Sequence, residues 1–187
     1  KMEDREMRFI TKDDTVLVAI DFQEKLMPAM SNGEETEERA AKLIRGMKVF
    51  DIPAIVTQQY TKGIGPTTAK LSAELGDFKH VEKTAFSAMR MPEFQERLKE
   101  TGRKNVMICG VEAHICVLQT TLQLMEEGYN VYLVVDCIDS RNENDKLWGI
   151  SRMGEAGAVI TTYESVLYEI LQDSKADGFK AISAIVK

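Results

Sequence analysis

The fold of this chain is decided by the stretch Val106-Met107-Ile108-Cys109-Gly110-Val111-Glu112-Ala113-His114-Ile115-Cys116-Val117. A short apolar run of β-forming residues meets Gly110, and a helical pattern begins within a few residues, so the stretch predicts a strand, a tight turn and a helix. Cys116 falls in the first turn of that predicted helix. Unpaired backbone N–H groups and the positive end of the helix dipole favour a thiolate there. Cys116 is therefore a candidate nucleophile, and an inert packed cysteine is the alternative.

The rest of the chain alternates apolar β-rich segments with amphipathic helical ones. The predicted strands cover 15–20, 53–57, 80–82, 106–109, 130–136 and 158–161. The predicted helices cover 34–50, 69–75, 92–101, 113–127, 142–155, 163–171 and a last segment from Ala176. The long Gly/Thr/Pro segment 58–68 is predicted to be irregular. This alternation predicts a doubly wound (Rossmann-like) α/β domain, a six-stranded parallel sheet with helices on both faces.

Length and charge limit the classes of protein to which the chain can belong. With 187 residues, 44% of them hydrophobic, we expect one domain over 1–187, with 1–14 as a partly ordered lead-in. The 24 basic and 30 acidic residues give a net charge of −6, and no segment concentrates Lys and Arg. Nucleic acid and anionic membranes are therefore not expected as partners, and a small neutral or polar molecule is. No apolar run reaches the roughly 18 residues of a membrane span, and the charged start predicts no signal peptide.

The cysteines indicate a reducing compartment. Cys109, Cys116 and Cys137 are odd in number and form no C-x-x-C pair, which argues against a disulfide framework and against a zinc site. We therefore expect a cytoplasmic protein.

Three chemically capable side chains follow predicted strands. In an open parallel sheet, ligands bind beyond the carboxyl ends of the strands, where the strand order reverses. With the order 3-2-1-4-5-6, Asp21 after the first strand and Cys116 after the fourth face one crevice. A carboxylate there is partly desolvated, which raises its pKa and suits a general base. Lys83, after the third strand, would balance both charges. Taken singly, Asp21 could equally cap a loop and Lys83 could be a solvated surface lysine.

Three motifs in this order resemble the isochorismatase-like cysteine hydrolases, a group that includes nicotinamidases and carbamoylsarcosine-type amidohydrolases. They are Val18-Ala19-Ile20-Asp21-Phe22-Gln23, Glu82-Lys83-Thr84-Ala85-Phe86-Ser87 and Gly110-Val111-Glu112-Ala113-His114-Ile115-Cys116-Val117. The resemblance spans about Thr15 to Ile170. Within this family, the sequence most resembles the isochorismatase domain-containing subgroup.

The resemblance implies a catalytic triad of Asp21, Lys83 and Cys116, with Cys116 as nucleophile. It also implies a cis peptide between Val111 and Glu112 that aims backbone N–H groups, with that of Cys116, at a developing oxyanion. The expected reaction is hydrolysis of a small amide-like C–N bond through a thioester. Relatives of this kind are usually homo-oligomers.

No metal or other cofactor is expected. Metal-binding relatives carry an Asp and His pair after the second strand, where this sequence has Gln59 and Thr61. The two histidines do not supply the missing ligands, because His114 is two positions from Cys116 and His80 lies beside the third strand.

Several neighbours of the triad are candidates for substrate binding. Phe22, Tyr60 and Phe86 could form the wall of a pocket for a flat or apolar molecule, and core packing is the alternative for Phe22 and Tyr60. Gln23 could orient Asp21 by a hydrogen bond. Glu112 could place a carboxylate at the mouth of the pocket, or could point to solvent.

Two other functions compete with hydrolysis. One is a module of the same fold that binds a ligand or a protein without turnover. Three intact triad residues argue against it. The other is a thiol redox module, which is disfavoured because no resolving cysteine neighbours Cys116 in sequence.

Overall fold

The computed structural model describes residues 9–187. The first eight residues of the predicted lead-in lie outside the described residues, and Lys12–Asp14 form one 3-10 turn. The strands are β1 (Thr15–Ile20), β2 (Ala54–Gln59), β3 (Val81–Lys83), β4 (Asn105–Val111), β5 (Asn130–Asp139) and β6 (Val159–Thr161). The helices are α1 (Gly33–Val49), α2 (Thr61–Ile64), α3 (Ala69–Leu75), α4 (Pro92–Thr101), α5 (Leu118–Glu126), α6 (Glu143–Ala156), α7 (Tyr163–Leu171) and α8 (Phe179–Val186).

The six strands form one parallel sheet in the order β3-β2-β1-β4-β5-β6, which confirms the predicted doubly wound α/β architecture. The order in which strands are added reverses between β1 and β4, since β2 and β3 lie on one side of β1 and β4 to β6 lie on the other. The carboxyl ends of these two strands lie side by side, because Ile20 is in register with Gly110. This is the edge where ligands bind in sheets of this kind.

Two apolar layers enclose the sheet, because successive side chains of a strand point to opposite faces. On β1, Leu17 and Ala19 join a cluster with helices α1, α7 and α8. Val16, Val18 and Ile20 face the opposite way, into a cluster with α4, α5 and α6. All six residues of β1 are buried, as expected for a central strand covered on both faces.

Two expectations for local structure were wrong. The segment predicted to be irregular contains the short helix α2, and β2 continues through Gln59. The helix predicted over 113–127 begins as a π-helical turn, Ala113–Val117, and becomes α-helical at Leu118. Cys116 therefore lies in a widened π turn, an arrangement that is frequent at functional sites.

Gly110 lets β1 and β4 approach each other at the end of the crevice. Its φ is +132°, and an added Cβ would lie 2.1 Å from the carbonyl oxygen of Ile20. A side chain at this position would therefore collide with backbone atoms of β1, which cannot move aside as a flexible side chain can.

Across residues 9–187, no helix combines the length and apolar character needed to cross a lipid bilayer.

Candidate active site

Asp21 and Lys83 form a buried ion pair at the carboxyl edge of the sheet. Asp21 follows the last residue of β1 with a left-handed φ of 51°, and Lys83 is the last residue of β3. Oδ2 of Asp21 lies 2.9 Å from Nζ of Lys83, and both residues are fully buried. The contact is an ion pair without a well-aligned hydrogen bond, since Oδ2 has no partner of good geometry. The two residues expected to converge do so, although they lie 62 positions apart in the sequence.

The other acceptors of the Lys83 ammonium group are neutral oxygens. Nζ donates to Oε1 of Gln59 at 2.6 Å, to the carbonyl oxygen of Phe86 at 2.9 Å and to that of Ala85 at 3.2 Å. These bonds supply the hydrogen-bond partners that a buried charge needs. Lys83 is thus held by the end of β2 and the loop after β3, and it is not the solvated surface lysine of the alternative interpretation.

Asp21 is positioned by the second strand as well. Thr57 donates from Oγ1 to Oδ1 of Asp21 at 2.8 Å, and the Thr57 carbonyl accepts from the Asp21 backbone N–H at 3.2 Å. Burial raises the pKa of the Asp21 carboxyl above its usual range, while the positive charge of Lys83 and the hydrogen bond from Thr57 oppose that rise. A carboxylate with a raised pKa is better matched to take a proton in a general-base step.

Cys116 interacts with both members of the ion pair. The charges of Asp21 and Lys83 both act on its thiol, and the residue is 8% exposed. Burial raises the pKa of the Cys116 thiol to about 12; the negative charge of Asp21 contributes to the rise, and Lys83 opposes it. Burial and the charge of Asp21 therefore favour the thiol form of Cys116 in the resting site, against the expectation that the helix terminus ionises this sulfur.

The other two cysteines lie apart from this arrangement. Cys109 and Cys137 are fully buried in the apolar cluster on the opposite face of the sheet, and burial raises the pKa of both thiols. All three cysteines are free thiols.

Gln23 has a different role from the one expected. Its Nε2 donates to the carbonyl oxygens of Gln59 and Gly65, each at 2.8 Å, and its Oε1 accepts from the backbone N–H of Gln59 at 2.7 Å. Both amide protons are therefore engaged in holding the loop after β2. The hydrogen bond to Asp21 that was assigned to Gln23 comes from Thr57, which sequence analysis missed. The signal was a polar residue near the end of a buried strand next to β1.

The aromatic residues near the triad divide into buried and exposed ones. Phe22 is 2% exposed and packs in the cluster on the face opposite Cys116, so the core-packing alternative is correct for it. Tyr60 and Phe86 are 54% and 53% exposed. They lie in the loops that follow β2 and β3, next to the residues that hold Lys83. These two side chains are available to contact a substrate.

Hydrogen bonds from the loop that follows β5 hold the segment between β4 and the π turn in place. The peptide bond between Val111 and Glu112 is cis. Oε1 of Glu112 accepts from the backbone N–H and from Nε of Arg141, both at 3.0 Å. Nδ1 of His114 lies 2.9 Å from Oγ of Ser140. The carboxylate of Glu112 is therefore paired with Arg141 and does not stand free at the mouth of the site.

Two surface cavities lie away from the triad. One of about 670 Å³ lies between α4 and α5, near Lys104 and Tyr129, at the amino edge of the sheet. The other, of about 520 Å³, lies around Met27 and Asn32. Neither is lined by Asp21, Lys83 or Cys116. Within residues 9–187, no cluster of three or more His, Cys, Asp and Glu side chains could hold a metal ion.

The fold and the site together define a doubly wound α/β protein with a thiol, a carboxylate and an ammonium group at its topological switch point. The chain belongs to the isochorismatase family. The family model "Isochorismatase domain" matches residues 15–165. The isochorismatase domain-containing protein 2 of Xenopus laevis is 37% identical over 173 residues, which cover 92% of this chain and 83% of that protein.

Solved structures show the same fold. The MAR1 ribonuclease of Caenorhabditis elegans is 35% identical with a TM-score of 0.90, and the match covers 96% of this chain and 92% of that one. YcaC of Escherichia coli, described as an octameric hydrolase of unknown specificity, is 26% identical with a TM-score of 0.91, covering 97% and 92%. YcaC of Pseudomonas aeruginosa, solved with covalent acrylamide, is also 26% identical with a TM-score of 0.91, covering 96% and 92%. The chain thus has the fold of a hydrolase family.

Proposed function

We propose that this protein is a metal-independent cysteine hydrolase that cleaves a C–N bond of a small amide-like molecule. The observation that carries the proposal is the buried Asp21–Lys83 ion pair, whose two charges both act on the thiol of Cys116. A thiol beside a general base and a fixed cation is the arrangement that nucleophilic catalysis requires. Isochorismatase-family membership supports the hydrolytic class.

The first half of the reaction forms a thioester. Asp21 takes the proton of Cys116, and the sulfur adds to the carbonyl carbon of the substrate. Once Asp21 is protonated it no longer raises the pKa of the thiol, while the ammonium group of Lys83 remains as the counter-charge to the thiolate. Asp21 then returns its proton to the leaving nitrogen, the C–N bond breaks and the amine departs.

The second half hydrolyses the thioester. Asp21 takes a proton from water, the hydroxide oxygen adds to the thioester carbon, and the C–S bond breaks. The sulfur leaves as a thiolate and recovers its proton from Asp21, so the net change is addition of one water across the C–N bond. We assign the oxyanion formed in each half to backbone N–H groups of the turn from Val111 to Cys116, as the family resemblance implies.

Substrate binding is assigned to the exposed rings of Tyr60 and Phe86. They suit a flat or apolar group beside the scissile bond. Neither Phe22 nor Gln23 is included, since one is packed in the core and the amide protons of the other are engaged by backbone carbonyls.

A covalent label tests Cys116 as the nucleophile. Because the Pseudomonas YcaC structure contains covalent acrylamide, we expect acrylamide to label this protein too. Mass spectrometry should place one adduct on the peptide that contains Cys116. Labelling of Cys109 or Cys137 instead would contradict the assignment.

A screen of small amides, ureas and ring imides tests the function itself. Wild type should release ammonia or an amine from at least one class, and Cys116→Ala should release none. Because the C. elegans relative is named a ribonuclease, RNA is included as a further substrate in the same screen. We favour the small molecule, because a net charge of −6 opposes binding of a polyanion. RNA cleavage that Cys116→Ala abolishes, without amide cleavage, would overturn the proposal, and no cleavage of any substrate would favour a non-catalytic module.

We also propose that the chain forms a homo-oligomer in the cytoplasm. The octameric E. coli relative supports the assembly, and three free cysteines support a reducing compartment. Light scattering of the purified chain tests the first part, and a monomer would contradict it.

A further inference from the structure

Gln59 is bound closely to the residues of the candidate site without being one of the triad. It is the last residue of β2 and is in register with Lys83 on β3. Its backbone N–H and C=O are both bound by the side chain of Gln23, at 2.7 and 2.8 Å. Its own Nε2 donates to the carbonyl oxygen of Thr84 at 2.8 Å, which leaves Oε1 directed at Nζ of Lys83 at 2.6 Å. Hydrogen bonds therefore fix both the backbone and the side chain of Gln59, and they hold its Oε1 in place as an acceptor for Lys83.

The charge of the acceptors around Lys83 matters as much as their positions. Gln59 and the carbonyls of Ala85 and Phe86 are neutral, so the formal charge that faces the ammonium group is that of Asp21. Glu82 is exposed, and its carboxylate is occupied by Thr61 and His80. A neutral set of acceptors satisfies the hydrogen bonds of Lys83 without cancelling its charge.

We propose that Gln59 is a positioning residue that holds the ammonium group of Lys83 beside Asp21 without placing a second negative charge next to it. This inference rests on the proposed hydrolase function and deepens it. When the proton of Cys116 moves to Asp21, the negative charge moves from oxygen to sulfur. An ammonium group fixed by neutral oxygens can stabilise both anions in turn, whereas one paired with a second carboxylate could not.

The test measures the thiol of Cys116 directly and needs no substrate. The rate of Cys116 alkylation by iodoacetamide is recorded against pH for wild type, Gln59→Glu and Gln59→Met. Gln119→Glu is the matched control, because it adds the same charge three residues from Cys116 on an exposed position of α5. Thermal unfolding of each variant shows whether it is folded.

Gln59→Glu should slow alkylation about tenfold at a given pH, equivalent to about one unit of thiol pKa, because the new carboxylate pairs with Lys83. Gln59→Met removes the acceptor without adding charge and should slow alkylation about threefold, since a loosened ammonium group stabilises the thiolate less well. The exposed control should match wild type. If Gln59→Glu does not fold, the Met variant decides the question.

A folded variant whose profile superimposes on that of wild type would overturn the role of Gln59. So would equal slowing by Gln59→Glu and Gln119→Glu. These results are distinct from a failure of the proposed function, which would appear as an absence of turnover in the substrate screen while the thiol profiles still followed the order given above.

Discussion

Nζ of Lys83 lies 2.9 Å from Oδ2 of Asp21, and neither side chain exposes more than 1% of its surface. Burying two charges in a protein interior costs several kcal/mol for each ion, so such a pair is poor evidence of stabilisation. The residues around the ion pair indicate a chemical role for it. Thr57 hydrogen-bonds to the carboxylate, the charges of the pair act on the thiol of Cys116, and Gln59 holds the ammonium group.

Removing one charge of the Asp21–Lys83 pair should destabilise the protein more than removing both charges. Lys83→Met leaves a buried carboxylate without its counter-charge, and we expect the free energy of unfolding to fall by about 3–5 kcal/mol. The double variant Asp21→Asn/Lys83→Met removes both charges and should recover most of that loss. Urea unfolding measures all three proteins.

The matched control is the surface pair of Lys70 and Glu38, in which both side chains are nearly half exposed. Lys70→Met should change stability by less than about 1 kcal/mol, because solvent screens an exposed pair. A double variant as unstable as Lys83→Met would show that the buried charges are not the source of the cost.

Replacing the proposed nucleophile, Cys116, should remove turnover and preserve the fold. Cys116→Ser exchanges the thiol for a much weaker acid and nucleophile at nearly the same volume. Hydrolysis of the substrate found in the screen should fall to background, with the thermal unfolding midpoint close to that of wild type. Cys137→Ala should keep full activity and lose about 1 kcal/mol of stability, because it deletes a buried sulfur far from the site. Retained hydrolysis by Cys116→Ser would reject covalent catalysis.

The thiol titration should extend to high pH. The pKa of Cys116 is raised to about 12, so the reactive thiolate fraction grows as pH rises and remains below one half until that pH is approached. The alkylation rate should therefore still be climbing at pH 10, whereas a cysteine in a short peptide levels off above about pH 9. A plateau near pH 8.5 would mean that Cys116 is neither desolvated nor close to the Asp21 carboxylate.

Gly110 should not tolerate a side chain. Gly110→Ala places a methyl group 2.1 Å from the Ile20 carbonyl oxygen, and we expect a loss of more than about 3 kcal/mol or failure to fold. Gly102 also has a positive φ, of 64°, but no heavy atom lies within 4 Å of an added Cβ there. Gly102→Ala should therefore cost about 1 kcal/mol, the strain of the left-handed backbone alone. Equal losses in urea unfolding would show that steric collision at Gly110 is not the cause.

Periodicity was enough to predict the architecture. Continuous apolar runs such as Thr15–Ile20 are typical of strands buried on both faces, and helices at regular intervals impose parallel pairing. The order β3-β2-β1-β4-β5-β6 follows from the two-sided winding of such a sheet. Segment 61–64 was missed because a four-residue helix leaves too short a pattern to detect. The π turn at Ala113–Val117 has no periodic signal that separates it from an α-helix.

The sequence by itself determined the doubly wound sheet, the family and the three side chains that end at one edge, since residue order and residue type suffice for these. The tertiary structure decided the raised pKa of Cys116 and the hydrogen-bond partners of Gln23, Thr57 and Gln59. The pKa of a thiol depends on burial and on charges from other strands, and an amide binds whichever neighbour the fold brings within about 3 Å. Both depend on distances between residues that are far apart in sequence and come together only when the chain folds.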